Sequence, residues 1–221
     1  VSVVNALSEW CEVRVRRNGK IYRQRYERGI PATELEVVGP AEDTGTTTTF
    51  RPDPEIFESA EFQYDTLYNY LREQAFLNKG VAITLKDERI DKTEVFHYEG
   101  GIVSFVEYLN QNKGALHKEI ISLQREIQEK DVSVEVAIQY NDTYVENVFS
   151  FANGVNTVEG GTHLTGFRAA LTRTINDYAR KNGLLKEKDQ NFSSDDVREG
   201  LTAVISIKLR EPQFEGQTKT K

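Results

Sequence analysis

Cysteine is almost absent: Cys11 is the single one in 221 residues, so no internal disulfide can form and a reducing, cytoplasmic compartment is the expected setting. No stretch approaches the roughly 20 apolar residues that a membrane helix requires, so a soluble protein with no membrane contact is expected. Histidine is also scarce. His97, His117 and His163 fall in three different segments, none with a Cys or His at ligand spacing, which argues against a zinc site. No Gly-x-Ser-x-Gly, Walker A loop or Gly-x-Gly-x-x-Gly occurs, so no self-contained hydrolase site can be assembled. Positive charge is in short supply, with 28 Lys and Arg against 35 Asp and Glu. The net charge of −7 divides into −5 over residues 1–100 (13 against 18) and −2 over residues 101–221 (15 against 17). Neither half suits a protein that coats nucleic acid, because that affinity rests on cations displacing counterions from phosphates.

What is present is a globular pattern, 38% hydrophobic and 29% charged, long enough for two domains. The chain opens on Val1-Ser2-Val3-Val4 as though already inside an element, and a truncated start is expected. Residues 12–16 alternate, Asn18-Gly19 interrupts, and residues 21–26 alternate again, which predicts a hairpin pairing Val15 with Tyr22 and Val13 with Gln24. Val13, Val15, Tyr22 and Tyr26 would share the buried face. Arg14, Arg16, Arg23 and Arg25 would line the other, either as an anion-facing patch or as a solvated surface balanced by Glu12 and neighbouring acids.

Two further strands are predicted near residues 35–38 and 46–50, then a helix over 65–78 ending at Asn78-Lys79-Gly80. A hairpin of residues 81–85 and 94–98 leads to Gly100-Gly101, where a domain boundary is expected, and then to a short helix. Beyond it, residues 132–140 and 145–151 read as antiparallel neighbours. Gly160-Gly161-Thr162 opens the longest helix, with Leu164, Phe167, Leu171, Ile175 and Tyr178 at helical spacing. Ser193 starts a short helix with acids in its first turn, and Ala203, Ile205, Ile207 and Leu209 form one face of a last strand.

Several positions bear chemistry. Gly216-Gln217-Thr218-Lys219 offers backbone N–H groups, an amide, a hydroxyl and an ammonium within a few residues, a set suited to gripping phosphate, though a polar, Lys-rich terminus is more often a solvated tail. Gly45 in the Thr44–Thr49 run permits close approach of a neighbour or ligand. His163 lies in the first turn of the long helix, where N–H groups attract anions, or is hydrogen-bonded locally. Cys11, at the start of an apolar strand, reads as packed rather than nucleophilic.

Six blocks occur in order: Ser2-Val3-Val4-Asn5-Ala6-Leu7-Ser8, Thr44-Gly45-Thr46, His97-Tyr98-Glu99-Gly100-Gly101, Glu159-Gly160-Gly161-Thr162-His163, Asp196-Val197-Arg198-Glu199-Gly200-Leu201 and Gln213-Phe214-Glu215-Gly216-Gln217-Thr218-Lys219. Together, over essentially the whole chain, they resemble the bacterial DNA gyrase B family of type IIA topoisomerases. The corresponding ATPase protein of topoisomerase IV shares most of these blocks, and Tyr26-Glu27-Arg28-Gly29 leans toward gyrase.

The resemblance implies an α+β chain. Residues 1–100 would be the C-terminal part of a Bergerat-type (GHKL) ATP-binding α/β sandwich, and residues 101–221 a transducer domain similar to ribosomal protein S5 domain 2, ending in the Gln-Thr-Lys loop. It implies ATP as the nucleotide and Mg2+ as its ion, with the magnesium ligand, the general base and the adenine-reading aspartate outside this chain, which alone should be hydrolytically inactive. Lys219 would reach the γ-phosphate with Gln217 beside it. Thr46 would lie near the adenine-recognising aspartate, Val1 and Thr48 in the pocket wall, Val1-Ser2 at the trailing end of the lid and Arg17 on the pocket rim. The implied work is ATP-driven gate closure and passage of one DNA double strand through another, which introduces negative supercoils. The implied partners are the gyrase A protein in an A2B2 heterotetramer, double-stranded DNA, and a second copy joined on ATP binding through an N-terminal segment. The alternatives are decatenation by topoisomerase IV, or a non-enzymatic S5-like module for nucleic acid or subunit docking.

Overall fold

The computed structural model describes all residues, Val1–Lys221, as an α+β chain that separates into two compact units, Val1–Gln63 and Tyr64–Lys221. In the first unit a short helix α1 (Ser2–Ala6) leads into the hairpin of β1 (Ser8–Arg17) and β2 (Lys20–Glu27). The predicted register holds: Val15 faces Tyr22, Val13 faces Gln24 and Arg14 faces Arg23. Asn18 and Gly19 both take left-handed φ angles, 53° and 73°, as a two-residue turn matched to strand twist demands. Strand β5 (Gly45–Pro52) pairs along the other edge of β1, while β3 (Ile30–Pro31) and β4 (Glu36–Pro40) both pair with β2.

Cys11 is fully buried, packed rather than reactive, and burial raises its thiol pKa. The rest of its face differs from expectation, since Val13, Val15, Tyr22 and Tyr26 are only half-buried. The single helix of this unit is five residues long, too short to roof strands of eight to ten. On the opposite face Glu12 receives Arg14 at 2.8 Å and Arg23 at 2.8 Å, so one carboxylate bridges the two facing arginines. Those two guanidiniums, Arg23 first, hold the Glu12 carboxyl below its usual range. The second face is thus the acid-compensated surface rather than an unbalanced cationic one.

The second unit begins with α2 (Tyr64–Leu77), whose Leu67, Tyr68 and Leu71 pack on the hairpin of β6 (Ala82–Asp87) and β7 (Lys92–His97) around Ala75, Leu85 and Phe96. Helix α3 (Ile102–Asn110) follows, and Phe76 of α2 stacks on Tyr98 at 3.7 Å and on Phe105 of α3 at 4.7 Å. This aromatic stack carries residues 64–100 into the second unit. The compact units divide after Gln63.

A five-stranded sheet completes the unit, in the order β11-β10-β12-β9-β8. Its strands are β8 (Ile121–Ile127), β9 (Val132–Tyr140), β10 (Asn147–Ala152), β11 (Val155–Asn156) and β12 (Leu201–Leu209). The expected antiparallel pair of β9 and β10 does not form. Asn141 diverts the chain by accepting the Thr143 N–H and hydroxyl on its Oδ1 and donating its backbone N–H to Gly200 O, and β12 takes the vacant place. β12 runs antiparallel to β9 and parallel to β10. Gly200, with φ 72°, admits the crossing, because a Cβ there would lie 2.4 Å from Asn141 O.

Helix α3 covers one face of the sheet through Phe105, Ala137, Phe151 and Val204. Helix α4 (Thr162–Lys181) covers the other, setting Leu164, Phe167 and Leu171 against Val136, Ile138, Ala203 and Ile205. The expected stripe fails at its end: Tyr178 is exposed and Asn176 is buried instead. Asn176 exchanges two hydrogen bonds with the Phe192 backbone, holding the loop that enters α5 (Ser194–Arg198), where Ser193 and Asp196 form a capping box.

A polar knot fills the end of the core beneath α3. Asn110 accepts from Thr202 Oγ1 at 2.7 Å and from Asn141 Nδ2 at 3.2 Å, and donates to Gln139 Oε1 at 2.9 Å. All four residues are buried. Removing Asn110 strands the groups that it satisfies, so Asn110→Ala is expected to cost about 2–4 kcal/mol. Urea unfolding of the 221-residue chain followed by far-UV circular dichroism checks this; a loss below about 1 kcal/mol would show the knot to be dispensable.

Candidate functional site

Two of the six blocks meet in the second unit. Beyond β12, residues 215–221 fold back into a closed loop: the Glu215 N–H donates to Lys221 O at 2.7 Å, and Lys221 Nζ lies 3.0 Å from Glu215 Oε2. The loop rests on the turn between β11 and α4 at Glu159. There the Glu159 N–H donates to Thr220 O at 2.9 Å, and the Thr220 hydroxyl donates to Glu159 Oε2 at 3.0 Å. Thr220 is half-buried by this contact, whereas Gln217, Thr218 and Lys219 are exposed.

Lys219 takes a left-handed backbone, φ 57°, next to a loop already turned by Gly216 at φ 77°. Its ammonium carries no ion pair and lies 5.5 Å from the Phe214 ring, a weak attraction at a wet site. Lys219 and Gln217 are therefore both exposed, two residues apart, on a tethered loop.

The supporting turn is itself tied down. The Gly160 N–H donates to Thr157 O at 2.8 Å, and buried Thr157 donates its hydroxyl to Ser150 O of β10 at 2.9 Å. Gly161, at φ 150°, leaves room for the His163 ring, which would lie 2.8 Å from any added Cβ. His163 Nε2 sits 3.0 Å from Thr157 Oγ1. His163 thus makes the local hydrogen bond and is not free to hold an anion.

The remaining expected site residues all lie in the first unit. Thr46 and Thr48 stand opposite Val15 and Val13 on β5, exposed on the face that also carries Tyr22 and Gln24. Arg17 is exposed at the far end of β1, opposite Lys20. Val1 precedes α1 and is 78% exposed, its carbonyl accepting the Asn5 N–H, and Ser2 is the first helical residue. The structure brings Thr46 and Thr48 together on one face, while Arg17 marks a strand end and Val1-Ser2 lead in at the other. Sequence reasoning passes over Glu159 and Thr220, although Glu159 opens one of the six blocks.

Burial pushes the His163 imidazole below its ordinary pKa. The unfolded chain then binds the extra proton first, so stability present at neutral pH is lost as pH falls below the ordinary histidine value of about 6.5. Urea midpoints of the 221-residue chain at about pH 7.5 and 5.5 should show this fall, and His163→Gln should make it shallower. An identical pH slope in the variant would remove His163 from the balance.

Comparison with known proteins identifies the family. A family model described as DNA gyrase B matches residues 101–221, more than half of the chain. The DNA gyrase B protein of Clostridium acetobutylicum is 61% identical over 220 residues, covering 100% of this chain and 34% of that protein, and its Thermotoga maritima counterpart is 52% identical, covering 100% and 35%. The chain thus spans about a third of the length of these relatives. Among solved structures, the 43K ATPase domain of Thermus thermophilus gyrase B in complex with an aminocoumarin superposes with a TM-score of 0.84 at 42% identity, covering 97% of this chain and 58% of that one. The topoisomerase IV ATP binding domain of Francisella tularensis, in complex with a small-molecule inhibitor, gives 0.81 at 28% identity, covering 100% and 59%. With residues 101–221 matched through to the Gln-Thr-Lys loop, the chain belongs to the DNA gyrase B family.

Proposed function

We propose that this chain is the ATPase and transducer part of a DNA gyrase B protein, coupling ATP binding and hydrolysis to gate closure and negative supercoiling of double-stranded DNA. Residues 1–100 belong in this reading to the GHKL nucleotide-binding domain and residues 101–221 to the transducer. Identities of 52–61% to gyrase B proteins favour supercoiling over decatenation. The partners are the gyrase A protein in an A2B2 assembly, DNA, and a second copy of gyrase B, and the setting is the cytoplasm.

The observation that carries the reading is the unpaired Lys219 ammonium, exposed on a loop that is closed and anchored. Lys219 meets the terminal phosphate of ATP and stabilises the charge spread over its oxygens as the phosphoryl group departs. Gln217 donates its amide to the same group. After hydrolysis that phosphate no longer holds the loop, and this difference in contacts separates the ATP-bound state from the product state. Thr46, Thr48, Val1 and Ser2 lie along the nucleotide pocket, with Arg17 at its rim.

Mg2+ accompanies the nucleotide in this reading, but no three His, Cys, Asp or Glu side chains in the chain come together to hold a metal. In this reading the magnesium ligand lies outside this chain, and the proposed chemistry of its own residues involves no step through the ion.

In the full-length gyrase B protein assembled with gyrase A, Lys219→Ala is expected to lower ATP turnover by about 100-fold and to abolish supercoiling, the usual effect of removing a charge-stabilising donor. Steady-state ATPase and plasmid supercoiling assays check this. Rates equal to those of the wild type would overturn the proposal.

A further inference from the structure

We infer that Glu159 is a positioning residue for Lys219, acting through Thr220 and resting on the reading of Lys219 as the γ-phosphate contact. Thr220 is the residue next to Lys219, and Glu159 grips it at two points, its backbone carbonyl at 2.9 Å and its hydroxyl at 3.0 Å. Two bonds to one residue fix both its position and its rotation. They therefore restrain the residue that follows Lys219, whose left-handed conformation, φ 57°, a free loop of non-glycine residues rarely keeps.

Glu159 can do this because it is itself held. Its neighbour Gly160 is bonded to Thr157, and Thr157 is buried and bonded to Ser150 in the sheet. A continuous path thus runs from β10 through Thr157 and Glu159 to Thr220, and it ends one residue short of Lys219. The carboxylate forms no ion pair with Lys219 itself, so it orients the lysine without neutralising it.

The contact is exposed, and exposed polar contacts add little to stability. Its consequence is geometric. A reacting group displaced by about 1 Å can lose about 100-fold in rate, so loosening the loop should lower kcat while leaving nucleotide binding, made mostly elsewhere, near the wild-type level.

The test uses full-length gyrase B together with gyrase A, ATP as the probe, and separate determination of kcat and KM. Glu159→Ala is expected to reduce kcat by about 10- to 100-fold with KM for ATP changed by less than about threefold. Thr220→Val should act in the same direction. Glu159→Gln, whose amide oxygen still accepts the Thr220 hydroxyl, and Thr220→Ser should restore kcat to within about threefold of wild type. In a Lys219→Ala background, Glu159→Ala should cause no further loss, since residues that act as a unit are not additive.

If Lys219→Ala depresses turnover and Glu159→Ala does not, the positioning role is overturned and the Lys219 reading stands. If Lys219→Ala has no effect, the Lys219 reading itself falls. A full further loss from Glu159→Ala in the Lys219→Ala background, or failure of both Glu159→Gln and Thr220→Ser to restore kcat, would show Glu159 acting otherwise than through Thr220 and would overturn the inference.

Discussion

The second unit depends on β12 lying between β9 and β10. From Leu201 to Val204 this strand has no solvent exposure, and it meets a neighbour on each side over most of its length. Every residue therefore works twice: Leu201, Ala203 and Ile205 face α4, while Thr202 and Val204 face α3 and its polar knot. A central strand contributed by the last part of the sequence closes the sheet through contacts distant along the chain, 61 residues apart for Thr202 and Asn141. Such contacts form only after much chain entropy has been lost, which makes this insertion the step on which the remaining packing waits.

The same strand determines where chemistry can sit. It delivers the chain to the end of the sheet where Leu209 exchanges hydrogen bonds with Asn153 of the turn between β10 and β11, and from there the chain leads to the closed loop that lands on Glu159. Gly161 leaves room for the His163 ring, and His163 holds the turn between β11 and α4 through Thr157. The division of labour is physical: buried hydroxyls and carbonyls supply rigidity, and an exposed amide and ammonium at the tip remain unsatisfied. In the first unit, electrostatics is handled differently. Arginines that would repel across the hairpin share Glu12, and Arg28 is clasped by buried Asp53, whose carboxyl it holds below the usual range.

Much of this is legible in the residues. Asn18-Gly19 sets the hairpin and its pairing, because only a two-residue turn with left-handed backbone suits that twist. The spacing of Leu164, Phe167 and Leu171 reveals the covering helix, and Ser193 with Asp196 its short successor. Strand β8 escapes a reading by pattern although Ile121, Leu123 and Ile127 are separated by polar residues; as a fully exposed edge strand it lacks the dense apolar signal of β9. Tyr178 departs from its expected place because helical spacing alone cannot distinguish the end of an apolar stripe from an aromatic residue turned to solvent. The Gln-Thr-Lys loop is visible as chemistry, but its anchor is not: Glu159 and Thr220 are 61 residues apart, and no local pattern links them.

The sequence by itself determined most of the local elements, the turn chemistry of the hairpin and, through six ordered blocks, the family. Tertiary structure alone decided the neighbours of β10, the packing of Phe76 that draws residues 64–100 into the second unit, and the meeting of Glu159 with Thr220. The reason is the range of the forces involved. Periodicity and turn preferences act over a few residues, whereas strand order and loop docking are settled by burial and hydrogen-bond satisfaction summed over the whole unit.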